Sequence, residues 1–204
     1  MKRFILFCAM ACATLMATAQ TSTEILRRVS SAVESLGNYT ADFVMTSAEG
    51  NANGSYSVEG ARFRINGGGV DMVCDGTTMW AVDHAAREVV VETVDNSPEA
   101  SVWTNPAKAF SMLDSRFEHK LLGRENESGK TLYRINLNSR QQNVDGFTLL
   151  VDAATSLPWK AIYGVGELRV TLHFVRIVGG QPSEPSRFEY SSEEYSDYEV
   201  IDFR

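Results

Sequence analysis

Hydrophobic positions along this chain follow two periods, and the change from one to the other comes early. From Thr21 to Leu36 the apolar residues Ile25, Leu26, Val29, Ala32, Val33 and Leu36 recur at helical spacing. Thr21 with Glu24 has the form of a capping box. Gly37-Asn38 ends that helix, and from there the dominant period is two. Tyr39, Ala41, Phe43 and Met45 alternate with Thr40, Asp42, Val44 and Thr46, the pattern of a strand with one buried face.

After a loop from Gly50 to Gly54, Tyr56 and Val58 point one way while Phe63 and Ile65 have the opposite parity. Gly60 lies where the phase flips, which predicts a bulge or a tight bend there. Gly67-Gly68-Gly69 is the next turn. Strands follow over Val70 to Cys74, Met79 to Asp83 and Glu88 to Val94, separated by Asp75-Gly76 and by His84 to Arg87.

Asn105-Pro106 reads as an N-cap with proline at the first helical position, opening a short helix through Leu113 that carries Phe110, Met112 and Leu113. Strands resume at His119 to Arg124, Thr131 to Asn138, Phe147 to Asp152, Trp159 to Tyr163, Glu167 to Val178, Arg187 to Tyr190 and Val200 to Phe203. About eleven antiparallel strands with two helical pieces predict a mainly β, α+β protein. Its architecture is expected to be a strongly curved sheet or incomplete barrel covered by helices.

The first residues change the compartment. Lys2 and Arg3, an apolar run from Phe4 to about Leu15, and Ala17-x-Ala19 form a secretory signal peptide, which predicts cleavage near Ala19, a signal segment at 1–19 and one domain over 20–204. Ala9-Met10-Ala11 before Cys12 lacks the leucine of a lipid-attachment site, so export as a soluble protein is the expectation. Cys8 and Cys12 leave with the signal; the one remaining cysteine, Cys74, cannot form an internal disulfide. Losing Lys2 and Arg3 from the 19 basic residues leaves 17 against 26 acidic ones, about −9. That balance argues against nucleic acid and anionic membrane surfaces as partners.

Catalytic chemistry needs convergent reactive groups, and the sequence does not supply them. It contains no G-x-S-x-G, no H-E-x-x-H and no glycine-rich phosphate loop. His84, His119 and His173 are scattered and read as surface or cross-strand residues, and Cys74 as a small apolar packer. No enzymatic activity, cofactor or metal is expected.

Several stretches in this order resemble the periplasmic outer-membrane lipoprotein carrier family, the LolA-like proteins. They are ILRRVSSAVESLGNYTADF, GSYSVEGARFRI, CDGTTMWAVD, NPAKAFSML, FTLLVDAATSLPWKAIY and FEYSSEEYSDYEVIDFR. The resemblance covers most of the chain after the signal. It implies an unclosed antiparallel barrel with a helical lid over a hydrophobic cavity, in a periplasmic, non-enzymatic, monomeric carrier of acylated lipoproteins. An inner-membrane lipoprotein-releasing transporter would load the carrier, and an outer-membrane acceptor would unload it. A lipid- or lipoprotein-sensing regulatory module on the same fold is the alternative.

Carried onto this sequence, the resemblance makes Phe43, Met45, Phe63, Ile65, Met79 and Trp80 the candidate acyl-chain cavity. Pro106, Phe110, Met112 and Leu113 become the candidate lid. The family has a basic residue followed by proline before the aromatic of the third strand, where this chain has Glu59-Gly60. Arg62 and Arg64 are therefore the candidate lid latch. Taken without the resemblance, Trp80 reads first as an ordinary core residue, and the helices from Thr21 and Pro106 as the filling of the barrel.

Overall fold

The computed structural model describes residues 21–95, 106–111, 113–139, 146–165, 167–180 and 184–204. The expected signal segment, Asn105 and Met112 lie outside these residues. Helix α1 spans Ser22–Glu34; Thr21 is its N-cap, the Oγ1 accepting a hydrogen bond from the Glu24 N–H at 3.2 Å. Its apolar stripe, Ile25, Leu26, Val29 and Val33, is buried. Gly37, at φ 63°, turns the chain out of the helix in the left-handed conformation that glycine adopts without steric cost.

Among the described residues twelve strands form one sheet: β1 Tyr39–Ser47, β2 Gly50–Glu59, β3 Arg62–Gly67, β4 Val70–Cys74, β5 Thr78–Asp83, β6 Glu88–Thr93, β7 Phe117–Glu127, β8 Lys130–Ser139, β9 Phe147–Asp152, β10 Pro158–Val165, β11 Leu168–Gly179 and β12 Glu199–Asp202. Their spatial order is β12-β6-β5-β4-β3-β2-β1-β11-β10-β9-β8-β7. Two meanders, β1 to β6 and β7 to β11, are thus joined along the antiparallel β1–β11 seam. The sheet is strongly curved and unclosed, with β12 and β7 at its two edges.

The two faces of the sheet are covered differently. On the concave face α1 packs with Tyr39, Ala41, Phe43, Val58, Phe63, Ile135, Leu149 and Phe174 in one continuous core. On the convex face, Val82, Val89, Val91 and Trp80 pack under the C-terminal segment through Tyr190, Tyr195 and Tyr198. No helix among the described residues is long and apolar enough to cross a membrane.

The phase flip at Gly60 is a hairpin turn rather than a bulge. Glu59 pairs with Arg62, Val58 with Phe63 and Tyr56 with Ile65, and Gly60 has φ 61°. Two-residue turns reverse residue parity across the hairpin, so Tyr56, Val58, Phe63 and Ile65 all share one face. The bulges fall elsewhere, between Asp42 and Phe43 opposite β11, at Leu122 in β7 and beside Pro158 in β10.

Four expectations need correction. The segment Gly50 to Gly54 is not a loop: β2 starts at Gly50, paired with Ser47. Arg187 to Tyr190 is not a strand, because the chain there makes a 3-10 turn over Pro185–Phe188; Pro185 has a fixed φ suited to the first position of such a turn and no N–H for a ladder. The last strand is parallel, β12 running alongside β6 in register Val200 to Val89. The helix expected from Pro106 through Leu113 is split into a 3-10 turn, Pro106–Lys108, and a short helix α2, Leu113–Arg116.

Candidate functional site

Along β1 the inward side chains Tyr39, Ala41, Phe43 and Met45 face α1 at one end and open space at the other. The open space is a half-enclosed cavity of about 350 Å³. Phe43, Met45, Tyr56, Ile65, Met72 and Leu172 line it with Phe110, Phe147, Phe174 and the small residues Ala109 and Ala161. None of the described lining side chains is charged. The volume is within the range of small-molecule sites, roughly 300 to 1,000 Å³.

Two glycines are aligned beside Phe43 in the sheet. Phe43 pairs with Gly54, and Gly54 with Gly67. A Cβ on Gly54 would stand 2.3 Å from the Phe43 ring and 2.5 Å from the Asn66 carbonyl oxygen, so the ring lies directly over bare backbone. Gly67 contributes only backbone to the lining. Two of the three positions in this row therefore send nothing into the interior.

Among the described lining residues, the polar side chains are the tyrosines Tyr56 and Tyr163. Burial pushes the Tyr163 hydroxyl above its ordinary pKa, and pushes that of Tyr56 well above it. Tyr39, beside Tyr56 at a ring separation of 5.8 Å, is raised by burial to about 12, with the hydrogen bond to Tyr56 acting against that rise. These groups stay neutral at any ordinary pH, and the cavity stays apolar.

The covering segment is fixed to α1. Ser30 Oγ donates to the Phe110 carbonyl oxygen at 2.7 Å, and the Phe110 ring meets Phe174 edge-on at 5.7 Å. Arg27 Nε pairs with Asp114 Oδ2 at 2.8 Å. His119 joins the same junction, its Nδ1 2.9 Å from Ser22 Oγ and its Nε2 3.2 Å from the Asp114 carbonyl oxygen. Leu113 beneath is fully buried.

Of the residues expected at the cavity, Phe43, Met45 and Ile65 line it. Phe63 is fully buried in the same concave core, and Met79 packs against that core. Trp80 is on the other face, stacked on Tyr190 at 5.3 Å and 3°. The reason is strand geometry: neighbouring residues point to opposite sides of a sheet, so Met79 and Trp80 cannot share a cavity. Arg64, Val73, Trp80 and Val91 follow one another across four paired strands and form a convex row.

Arg62 and Arg64 are corrected for the same reason. They alternate with Phe63 and Ile65 and so point away from the cavity. Arg62 pairs with Glu59 and lies 5.1 Å from the centre of the Phe188 ring; Arg64 Nη1 donates to the Arg187 carbonyl oxygen at 3.4 Å. Both hold the C-terminal segment. Ser30 and Arg27 hold the cover.

Of the expected lid residues, Phe110 lines the cavity, Leu113 is buried and Pro106 opens the 3-10 turn. Met112 lies outside the described residues. Sequence reasoning missed Tyr56, Met72, Leu172 and Phe174 as lining. Alternation was visible in each of their segments, but which face turned inward depended on the β1–β11 pairing, which joins residues far apart in sequence. Cys74 is a buried packer, its thiol pushed above its ordinary pKa by burial. Among the described residues no group of three His, Cys, Asp or Glu side chains could hold a metal ion.

No protein-family model and no curated protein matches this chain. Among solved structures, an uncharacterized conserved protein from Thermus thermophilus aligns with TM-score 0.61 at 14% identity, over 90% of this chain and 99% of that one. A LolA superfamily protein from Nitrosomonas europaea aligns with TM-score 0.44 at 11% identity, over 84% and 99%. A putative outer membrane lipoprotein-sorting protein domain from Vibrio parahaemolyticus aligns with TM-score 0.45 at 12% identity, over 81% and 95%. The Thermus likeness shows a shared fold.

Proposed function

We propose that this protein is a periplasmic carrier that shields the acyl chains of lipoproteins in the concave cavity and moves them from the inner to the outer membrane. The observation that carries the reading is a half-open apolar cavity of about 350 Å³ whose described lining has no charge, beneath a cover held by a few polar contacts. The sequence resemblance and the export signal expected from the N-terminal residues support the cargo and the compartment.

Energetics favour a shuttle over a tight receptor. Three long acyl chains hold roughly 45 methylenes, which at about 0.8 kcal/mol each would cost about 36 kcal/mol in water. Measured non-covalent affinities stop near about 18 to 21 kcal/mol. A carrier therefore works on the difference between cavity and membrane, both apolar, and the large contributions nearly cancel. Flexible liners such as Met45 and Met72 suit chains of varied shape.

With the cover in place the cavity is smaller than such a load. An apolar cavity of about 150 Å³ accepts a six-carbon benzene ring, so 350 Å³ scales to roughly a dozen carbons. A larger load has to displace the cover.

The test is depletion of the protein in its native host, followed by membrane fractionation, together with mass spectrometry of the purified protein for acylated peptides. Carriage predicts lipoproteins stranded on the inner membrane and acylated peptides in the preparation. An unchanged distribution with acylated ligand present would favour a sensing module, and no ligand with an unchanged distribution would overturn the reading.

A further inference from the structure

A second, smaller chamber of about 150 Å³ lies beyond the cavity, lined by Ser30, Val33, Glu34, Tyr39, Val58 and Ser111 among others. The two spaces follow one another along the strands. Phe43 and Met45 of β1 line the larger, and Tyr39, at the start of the same strand, lines the smaller. In β2, Tyr56 lines the larger and Val58 the smaller. Tyr56 and Val58 are two residues apart along β2, about 6.6 Å.

Phe110 is the residue shared by both described linings. Its ring is set against Phe174, which pairs with Phe43 across the β1–β11 seam, and its carbonyl oxygen is fixed by Ser30. Tyr39 of the smaller lining and Tyr56 of the larger meet edge-on at 5.8 Å.

Building on the acyl-binding reading above, we propose that Phe110 is a chain-length gauge. The closed protein takes a single saturated acyl chain in the larger chamber, and the Phe110 ring blocks the chain's methyl end from Tyr39 and Val58. A limit of about a dozen carbons follows from the larger volume, and the smaller one adds room for about six more. Phe110 thereby sets specificity among chains; it does not create the apolar site, which Phe43, Ile65 and Leu172 provide without it.

The test is displacement of a fluorescent acyl probe by saturated chains of about eight to eighteen carbons, given as free fatty acids and as the same chains amide-linked to a short peptide. Wild type is expected to bind more tightly with each carbon up to about twelve, and then to weaken about tenfold towards eighteen. In Phe110→Ala the break moves to chains about five or six carbons longer, and in Phe110→Trp it moves to shorter chains. Near-ultraviolet circular dichroism shows that each variant is folded, and the two substitutions in opposite directions keep the test decisive if one fails. The tighter-binding series identifies a protein-linked or a free chain as the ligand. Identical length profiles in all three proteins would overturn the gauge alone. Absence of binding at every length would overturn the acyl-binding reading with it.

Discussion

At the scale of single residues, face matters more than identity. Trp80 is the largest side chain in its strand, yet it serves the convex face, where stacking on Tyr190 holds the C-terminal segment against the sheet. Trp80→Leu is expected to lower stability by about 1–2 kcal/mol, the scale of a lost aromatic pair with some buried area, and to leave probe binding unchanged. Urea denaturation and probe titration measure the two, and loss of binding would return Trp80 to the cavity. Asp152 shows how a buried charge is held. Burial pushes its carboxyl up, but hydrogen bonds from Lys130 and the Ala154 N–H more than offset this, and its pKa falls below the ordinary value. A lowered carboxylate stabilises the fold above its unfolded pKa of about 3.9 and loses that contribution as pH falls through the folded value. Lys130→Met is therefore expected to cost about 1–2 kcal/mol at neutral pH, since it strips one partner from a buried acceptor. The gap from wild type should narrow below about pH 4. Thermal denaturation across pH tests this; a constant gap would assign the loss to the Lys130 contact with the Trp159 ring instead.

At the scale of elements, α1 and most strands were legible because each carries its own period. The helix stripe through Val33, the alternation from Tyr39 to Met45 and the turns at Gly60 and Gly67–Gly69 are local signals, and local chemistry decides them. Two elements were misread where local signals conflict. Pro185 outweighs the strand character of Arg187 to Tyr190, and the covering segment breaks into two short pieces instead of one helix. The cover's fixings were invisible in sequence, because Ser30 and Phe110 meet across 80 positions. They also make a prediction about gating. Ser30→Ala removes one buried-edge hydrogen bond, about 0.5–1.5 kcal/mol, and should speed release of a bound hydrophobic probe by about two- to tenfold with little change in overall stability. Stopped-flow release measures it, and an unchanged rate would show that the cover does not control exit.

At the scale of the whole molecule, the unclosed sheet was legible as many short strands of regular spacing, while the interior was not. Whether a curved sheet is filled depends on which faces converge, and that is fixed by the seam between β1 and β11, where two meanders meet through residues more than a hundred positions apart. The cavity beside Phe43, whose ring lies over Gly54, is a space that no pattern along the chain announces. The central claim is that this space receives hydrocarbon, and methyl nuclear magnetic resonance during titration with an acylated peptide addresses it most directly. The methyl signals of Met45, Ile65, Met72 and Leu172 should shift saturably, while those of Val82 and Val89 under the C-terminal segment stay in place. Saturable shifts confined to Val82 and Val89, or none at the cavity methyls up to excess ligand, would contradict it.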